Sequence, residues 1–250
     1  MARRNQLLGF FVGTLTVAVY GQGPGLSVRP NQPEHTSNST LIYTSNSTLI
    51  YIRTDSQNTW KHWVDDLNEY LADYQSTGAN SEHLRLCDFT HPLDPDENKS
   101  CYFSLDPIAN DCSAANNFGY HRGQPCVLLK LNRTLGWVPE PYENGSFPAK
   151  LPKYIQDNYD PRYVYISCEG ENPADKENVG PLVYYPNLGI PNYYFPYRNT
   201  PGYQSPFVFV RFPRPQRGVF ISVECKAWAK NIHHDQQSRV GSVHFELLIQ

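Results

Sequence analysis

The clearest helical pattern runs through DSQNTWKHWVDDLNEYLADYQSTG. Its apolar residues, Trp60, Trp63, Val64, Leu67, Leu71 and Tyr74, recur at the spacing of a 3.6-residue period and form one stripe. Ser56 or Asp55 is placed to cap its start and Gly78 to end it. The pattern predicts one helix lying on the flank of a sheet. Further along, the period drops to two. Val127, Leu129 and Leu131 alternate with Leu128, Lys130 and Asn132. Val219, Ile221, Val223, Cys225 and Ala227 alternate with Ser222, Glu224 and Lys226. YVYISC, LVYY, PFVFVRF and VHFELLI read as further strands. About seven short strands between Pro, Gly and Asn turns predict a mainly β chain folded as an antiparallel β-sandwich. Cys225 shares the apolar face of its strand, so a disulfide there should be buried. Asn132 shares the polar face with Lys130, so a glycan there should project outward.

The first residues differ. Leu7 to Tyr20 is a run of fourteen residues without a charge, preceded by Arg3 and Arg4 and ended by GQGPG. As a helix it spans about 21 Å, against a hydrocarbon core of ~30 Å. Such a segment is either a signal peptide cut after Gly21 or a short membrane anchor whose basic start sets the N-terminus in the cytoplasm. Both put residues 30–250 outside the cytosol. Gly9 and Gly13 form a G-x-x-x-G pair, which permits close helix packing. Residues 21–54 read as a stalk carrying two copies of SNSTLIY, at 37–43 and 45–51, too few for a solenoid.

Composition narrows the function. Charged residues are 18% of the chain and the net charge is −3, so no basic field exists to hold nucleic acid. The six cysteines, Cys87, Cys101, Cys112, Cys126, Cys168 and Cys225, include no C-x-x-C pair, and disulfides in an oxidising compartment are the simpler reading than zinc. Sequons at Asn38, Asn46, Asn98, Asn132 and Asn144 agree with passage through the secretory pathway. Asp94, Asp96 and Asn98 begin like a calcium loop, but Lys99 and Leu105 stand where its glycine and glutamate belong. There is no P-loop, no H-E-x-x-H and no G-x-S-x-G. His233 and His234 lack a companion ligand and read as solvated. No enzyme, metal, cofactor or small-molecule substrate is expected.

Several stretches resemble the beta subunits of sodium/potassium-transporting ATPases and of the related proton/potassium pumps. They are GYHRGQPCVLLKLNRTLGWVPEP, YISCEG with ENVGPLVYYP, NYYFPYRNTPGYQSPFVFVRF and ISVECKAWAKNI. The order and spacing of the six cysteines match as well. PGLSVRPNQP and the Trp60–Tyr74 helix are similar to the family's stalk and first ectodomain helix. The resemblance implies a single-pass type II protein of the plasma membrane. Residues 1–6 would be a cytoplasmic remnant, 7–20 a shortened transmembrane helix, 21–54 the stalk and 55–250 a glycosylated, immunoglobulin-like extracellular sandwich. It implies a non-catalytic subunit that binds the alpha subunit, escorts its folding and delivery, and tunes potassium handling. It also implies the pairs Cys87–Cys101, Cys112–Cys126 and Cys168–Cys225. Contact with alpha would run through Gly9 and Gly13 and through Tyr193, Tyr194 and Tyr197. Tyrosines suit an interface because they bury large area at low entropic cost. If that stretch is a strand, alternate rings pack inward. Tyr197-Arg198 stands where the family has a second tyrosine pair. An adhesion glycoprotein of the same fold, acting without a pump, is the alternative.

Overall fold

The computed structural model describes residues 23–31, 48–76, 82–94, 97–108, 110–143, 146–235 and 240–250. The apolar run 7–20 with Gly9 and Gly13, the first repeat copy, Gly78, Asp96 and the sequon asparagines Asn38, Asn46 and Asn144 lie outside them.

Two sheets carry the fold. One has the order β1 (Leu26–Arg29), β5 (Cys126–Leu131), β9 (Phe207–Arg211), β7 (Val183–Tyr185), with every pair antiparallel. The other has the order β2 (Leu49–Ile52), β11 (Ser242–Ile249), β10 (Phe220–Trp228), β6 (Tyr163–Gly170), β8 (Gly189–Pro191). β2 runs parallel to β11, which corrects the expectation of a purely antiparallel arrangement. The two strands are separated by most of the chain, so no hairpin imposes the opposite sense. β3 (Leu84–Arg85) and β4 (Ser100–Cys101) make a small parallel ribbon. β1 and β2 both come from the stretch 21–54 that read as stalk. At four residues each, they are too short for alternation to stand out.

Register explains which alternations survive. In β5 and β9, Val127 faces Val210 and Leu129 faces Val208, while Leu128 faces Phe209 and Lys130 faces Phe207. The four valines and leucines of the first set and Leu128, Phe207 and Phe209 of the second are all buried, because both faces of this sheet are covered. The second face lies under α1 (Lys61–Ser76): Tyr74 packs edge-on to Phe207 at 5.5 Å, and Phe118 reaches Phe209 at 5.9 Å. All six residues of the helical stripe are buried. A single hydrophobic cluster takes side chains from α1 and from both sheets. In β10 the alternation holds, with Ile221, Val223, Cys225 and Ala227 fully buried and Ser222 and Lys226 half-buried. Glu224 on that outer face pairs with Lys226. Nearby, Trp228 and Tyr165 join Leu151 and Ile155 in a second, smaller cluster.

The helix begins through a short 3-10 turn at Gln57–Thr59. Ser56 stands at the capping position of that turn, yet its side chain makes no capping bond. Thr59 does the local work: its Oγ1 accepts from Arg53 N at 2.8 Å and donates to the Ser56 carbonyl at 2.8 Å. Arg29 then ties β1 to α1, with Nη1 at 3.0 and 3.1 Å from the two carboxylate oxygens of Asp66 and the guanidinium 4.6 Å above the Tyr70 ring.

The disulfides join Cys87 to Cys101, Cys112 to Cys126 and Cys168 to Cys225. The third links residues directly opposite each other on neighbouring strands β6 and β10, and both of its cysteines are buried. It is therefore a bond within one sheet, whereas antibody domains join their two sheets.

Candidate partner-binding surface

The tyrosine-rich stretch leaves β8 at Pro191 and turns at once. Asn192–Tyr194 form a single 3-10 turn, so the inward and outward alternation of a strand does not apply. The rings are sorted by the turn instead. Tyr194 packs on Phe103 at 5.6 Å, and burial pushes its hydroxyl pKa far up. Tyr193 lies between Tyr194 (4.6 Å) and Phe89 (5.1 Å), half-buried. Tyr197 belongs to another group. Its ring is 4.7 Å from Tyr203 and its hydroxyl donates to Asn199 Oδ1 at 2.6 Å. Arg133 lies over both of those rings, at 5.7 Å and 5.4 Å, and donates through Nε to Ser205 Oγ. Such stacking fixes a flexible cation and leaves an amphipathic surface. The three tyrosines therefore do not form one continuous patch.

What extends the Tyr197 group is a loop that the pattern reading had not singled out. Residues 132–138, directly after β5, form a parallel bridge at Leu135 with Tyr197, and Gly136 N donates to the Tyr197 carbonyl at 2.9 Å. Gly136 has φ +72°, a left-handed turn that costs glycine little. The turn presents Leu135 at 71% and Val138 at 53% exposure, while Trp137 folds back edge-on to Phe195 at 5.3 Å. Few large apolar side chains of the described residues are this open, and two of them share this loop. The signal was available in NRTLGWVPEP, as three apolar residues in a glycine turn after a strand. Arg198 is occupied elsewhere, with Nη1 at 3.1 Å from the carbonyls of Asp94 and Glu97, so it anchors the 87–101 disulfide loop.

Of the sequon asparagines within the described residues, Asn98 and Asn132 are both exposed. Asn132 Oδ1 accepts from Ser27 Oγ at 2.5 Å, which leaves its amide nitrogen available. His234 is not simply solvated: one face lies against Trp228 at 4.5 Å, its Nε2 is 2.8 Å from the Ala227 carbonyl, and burial lowers its pKa. Among the described residues, no group of three or more His, Cys, Asp or Glu side chains is placed to hold a metal ion. No helix among them is long and apolar enough to cross a membrane.

The family model of the sodium/potassium ATPase beta chain matches residues 16–245. The chain belongs to the sodium/potassium ATPase beta chain family. It is 41% identical over 249 residues to sodium/potassium-transporting ATPase subunit beta-2 of Drosophila melanogaster, covering 94% of this chain and 74% of that protein. Against subunit beta-1 of the same organism the identity is 36%, covering 93% and 72%. Against the probable subunit beta-3 of Caenorhabditis briggsae it is 33%, covering 98% and 76%. As a beta chain it is a non-catalytic accessory subunit of an ion-transporting P-type ATPase, and the aromatic surface is a binding feature rather than an active site. The beta-chain match takes in both sheets, α1 and all three disulfides.

Proposed function

We propose that this beta chain binds the catalytic alpha subunit of a sodium/potassium pump, supports its folding and delivery to the plasma membrane, and tunes its handling of potassium. The observation that carries this is the family match, which runs through nearly the whole chain at 41% identity to one sodium/potassium-transporting beta subunit. Two contacts serve the assembly. One is the apolar segment 7–20, with Gly9 and Gly13 on a helix that packs against alpha within the bilayer. The other is the exposed surface of Leu135, Val138 and Tyr197, which Arg133 and Tyr203 hold rigid; Tyr193 and Tyr194 act mainly by supporting it. Rigid aromatic and aliphatic anchors are what an interface needs to bury area at low entropic cost.

The topology that fits is type II, with residues 1–6 cytoplasmic, 7–20 in the membrane and the folded part outside the cell. Three disulfides favour an oxidising compartment. The ectodomain is then an immunoglobulin-like sandwich, a view supported by two sheets sharing one core, with the folded unit starting at β1 rather than at residue 55. Glycans belong on Asn98 and Asn132, which are exposed, and on Asn38, Asn46 and Asn144 where the enzyme can reach them. The test is expression of an alpha subunit in cells with and without this chain. Alpha should reach the surface and take up potassium analogue only when the chain is present. Equal surface alpha without it would overturn the proposal.

A further inference from the structure

A cleft of about 440 Å³ opens between residues 122–124 and residues 213–217. Three arginines line it. Arg217 is held in place: Nη1 donates to Thr54 Oγ1 and Nη2 to the Arg122 carbonyl, each at 3.1 Å. Gly123, at φ +67°, forms the floor beneath it, and a Cβ there would stand 3.2 Å from Arg217 Nη2. Arg214 is exposed and has no carboxylate partner among the described residues. Arg122 reaches Asp111 only at 3.5 Å, because Arg211 holds the same carboxylate at 2.5 Å. Asp111 therefore serves two arginines and leaves Arg214 and Arg217 uncompensated. Asp55, next to Thr54, is paired with Arg53, and the Gln250 carbonyl is taken by Thr54 N.

Strand register locates the cleft. Leu26 pairs with Leu131 and Arg29 with Leu128, so β5 begins at the end of the sheet away from residue 23. Cys126 pairs with Arg211 at that same end, which brings 122–124 and 213–217 together there. In the topology proposed above, this end faces away from the membrane. The cleft itself does not depend on that reading.

We propose that this cleft binds an acidic glycan, an oligosaccharide carrying sulfate or carboxylate groups. The guanidinium fork matches the paired oxygens of such groups and donates two parallel hydrogen bonds. A concave wall with excess positive charge concentrates anions. Pro213 and Pro215 restrict the backbone that carries Arg214, so less ordering is lost on binding. The lining is mainly guanidinium, amide and backbone, which suits a hydrated sugar chain better than an apolar peptide side chain.

The experiment titrates the purified full chain with a heparin octasaccharide, which carries sulfate and carboxylate, and with a hyaluronan octasaccharide, which carries carboxylate alone, at about 150 mM salt. At least one should bind saturably. Arg214→Ala with Arg217→Ala should weaken binding about tenfold or more, since each lost charge-assisted hydrogen bond is worth roughly that factor. Arg214→Ala alone breaks no internal bond and should weaken it about threefold. Lys153→Ala, an exposed charge elsewhere, should change nothing. Saturable binding of neither sugar, equal loss in Lys153→Ala, or tighter binding of an oligoglutamate peptide would each overturn the proposal. Recovery of alpha with the double variant is measured in parallel and should be unchanged, so failure here stays separate from failure of the pump assignment.

Discussion

Leu135 and Tyr197 lie side by side in a parallel bridge, fixed by the hydrogen bond from Gly136 N to the Tyr197 carbonyl. The bridge joins the loop after β5 to the tyrosine-rich turn and sets an open leucine beside a half-buried tyrosine. It also separates binding from folding experimentally. Leu135→Ser removes exposed apolar area and should shift stability by no more than about 0.5 kcal/mol, while lowering the yield of bound alpha. Tyr194→Ala removes a ring packed on Phe103 and should cost about 3 kcal/mol by urea unfolding. A loss of alpha binding in Tyr194→Ala is thus read against its unfolding curve, whereas a loss in Leu135→Ser is not confounded.

Arg29 and Asp66 give a second prediction. Their side chains are only about a quarter exposed, the bond is made to both carboxylate oxygens, and Asn31 N donates to the same carboxylate. Asp66→Ala should cost about 1–2 kcal/mol, more than a surface pair. The loss should appear as faster hydrogen exchange in β1, the strand that Arg29 ties down.

The Cys168–Cys225 bond closes the longest of the three loops, with a sequence separation of 57 against 14 for each of the others. In the chain-entropy account its removal should cost about 4 kcal/mol, and removal of either short loop about 3. Equilibrium unfolding of the paired Cys→Ala variants checks the order.

A pH effect centres on His244. Its Nδ1 lies 2.6 Å from Glu171 and its Nε2 2.7 Å from Glu246, with Glu224 opposite it on β10. Burial opposes the charge, but the hydrogen bonds and attraction of the two glutamates outweigh it, so the imidazolium persists above its usual range. A raised folded pKa adds stability that is complete below about pH 6.5 and is lost as pH rises through the folded value. The melting temperature of the native chain should therefore fall between about pH 6 and pH 8.5 relative to His244→Gln. Parallel pH curves for the two proteins would remove His244 as the cause.

Much of this architecture is legible in the sequence where burial is one-sided. The stripe from Trp60 to Tyr74 and the alternation in Ile221–Ala227 both follow from one covered face. Covering both faces erases that signal, as in Val127–Leu129 and Phe207–Val210, and there only length and β-branched content mark a strand. β1 and β2 are hidden for another reason: their partners lie about a hundred residues or more away, and four residues carry no period. The aromatic surface is half legible. Tyrosine content marks the stretch 193–197, but the 3-10 turn decides which rings face outward, and the bridge that recruits Leu135 is long-range. The arginine cleft is harder still, since Arg122 and Arg217 meet only through the far ends of β5 and β9.

The most direct test is recovery of alpha on the tagged full-length chain after co-expression and detergent extraction, comparing the native chain with Leu135→Asp. The native chain should bring down alpha in about equal amount, as a subunit does. Leu135→Asp should reach the cell surface with an unchanged melting curve and recover several-fold less alpha. Undiminished recovery by Leu135→Asp would show that this surface is not the contact. No alpha with the native chain would contradict the pump assignment itself.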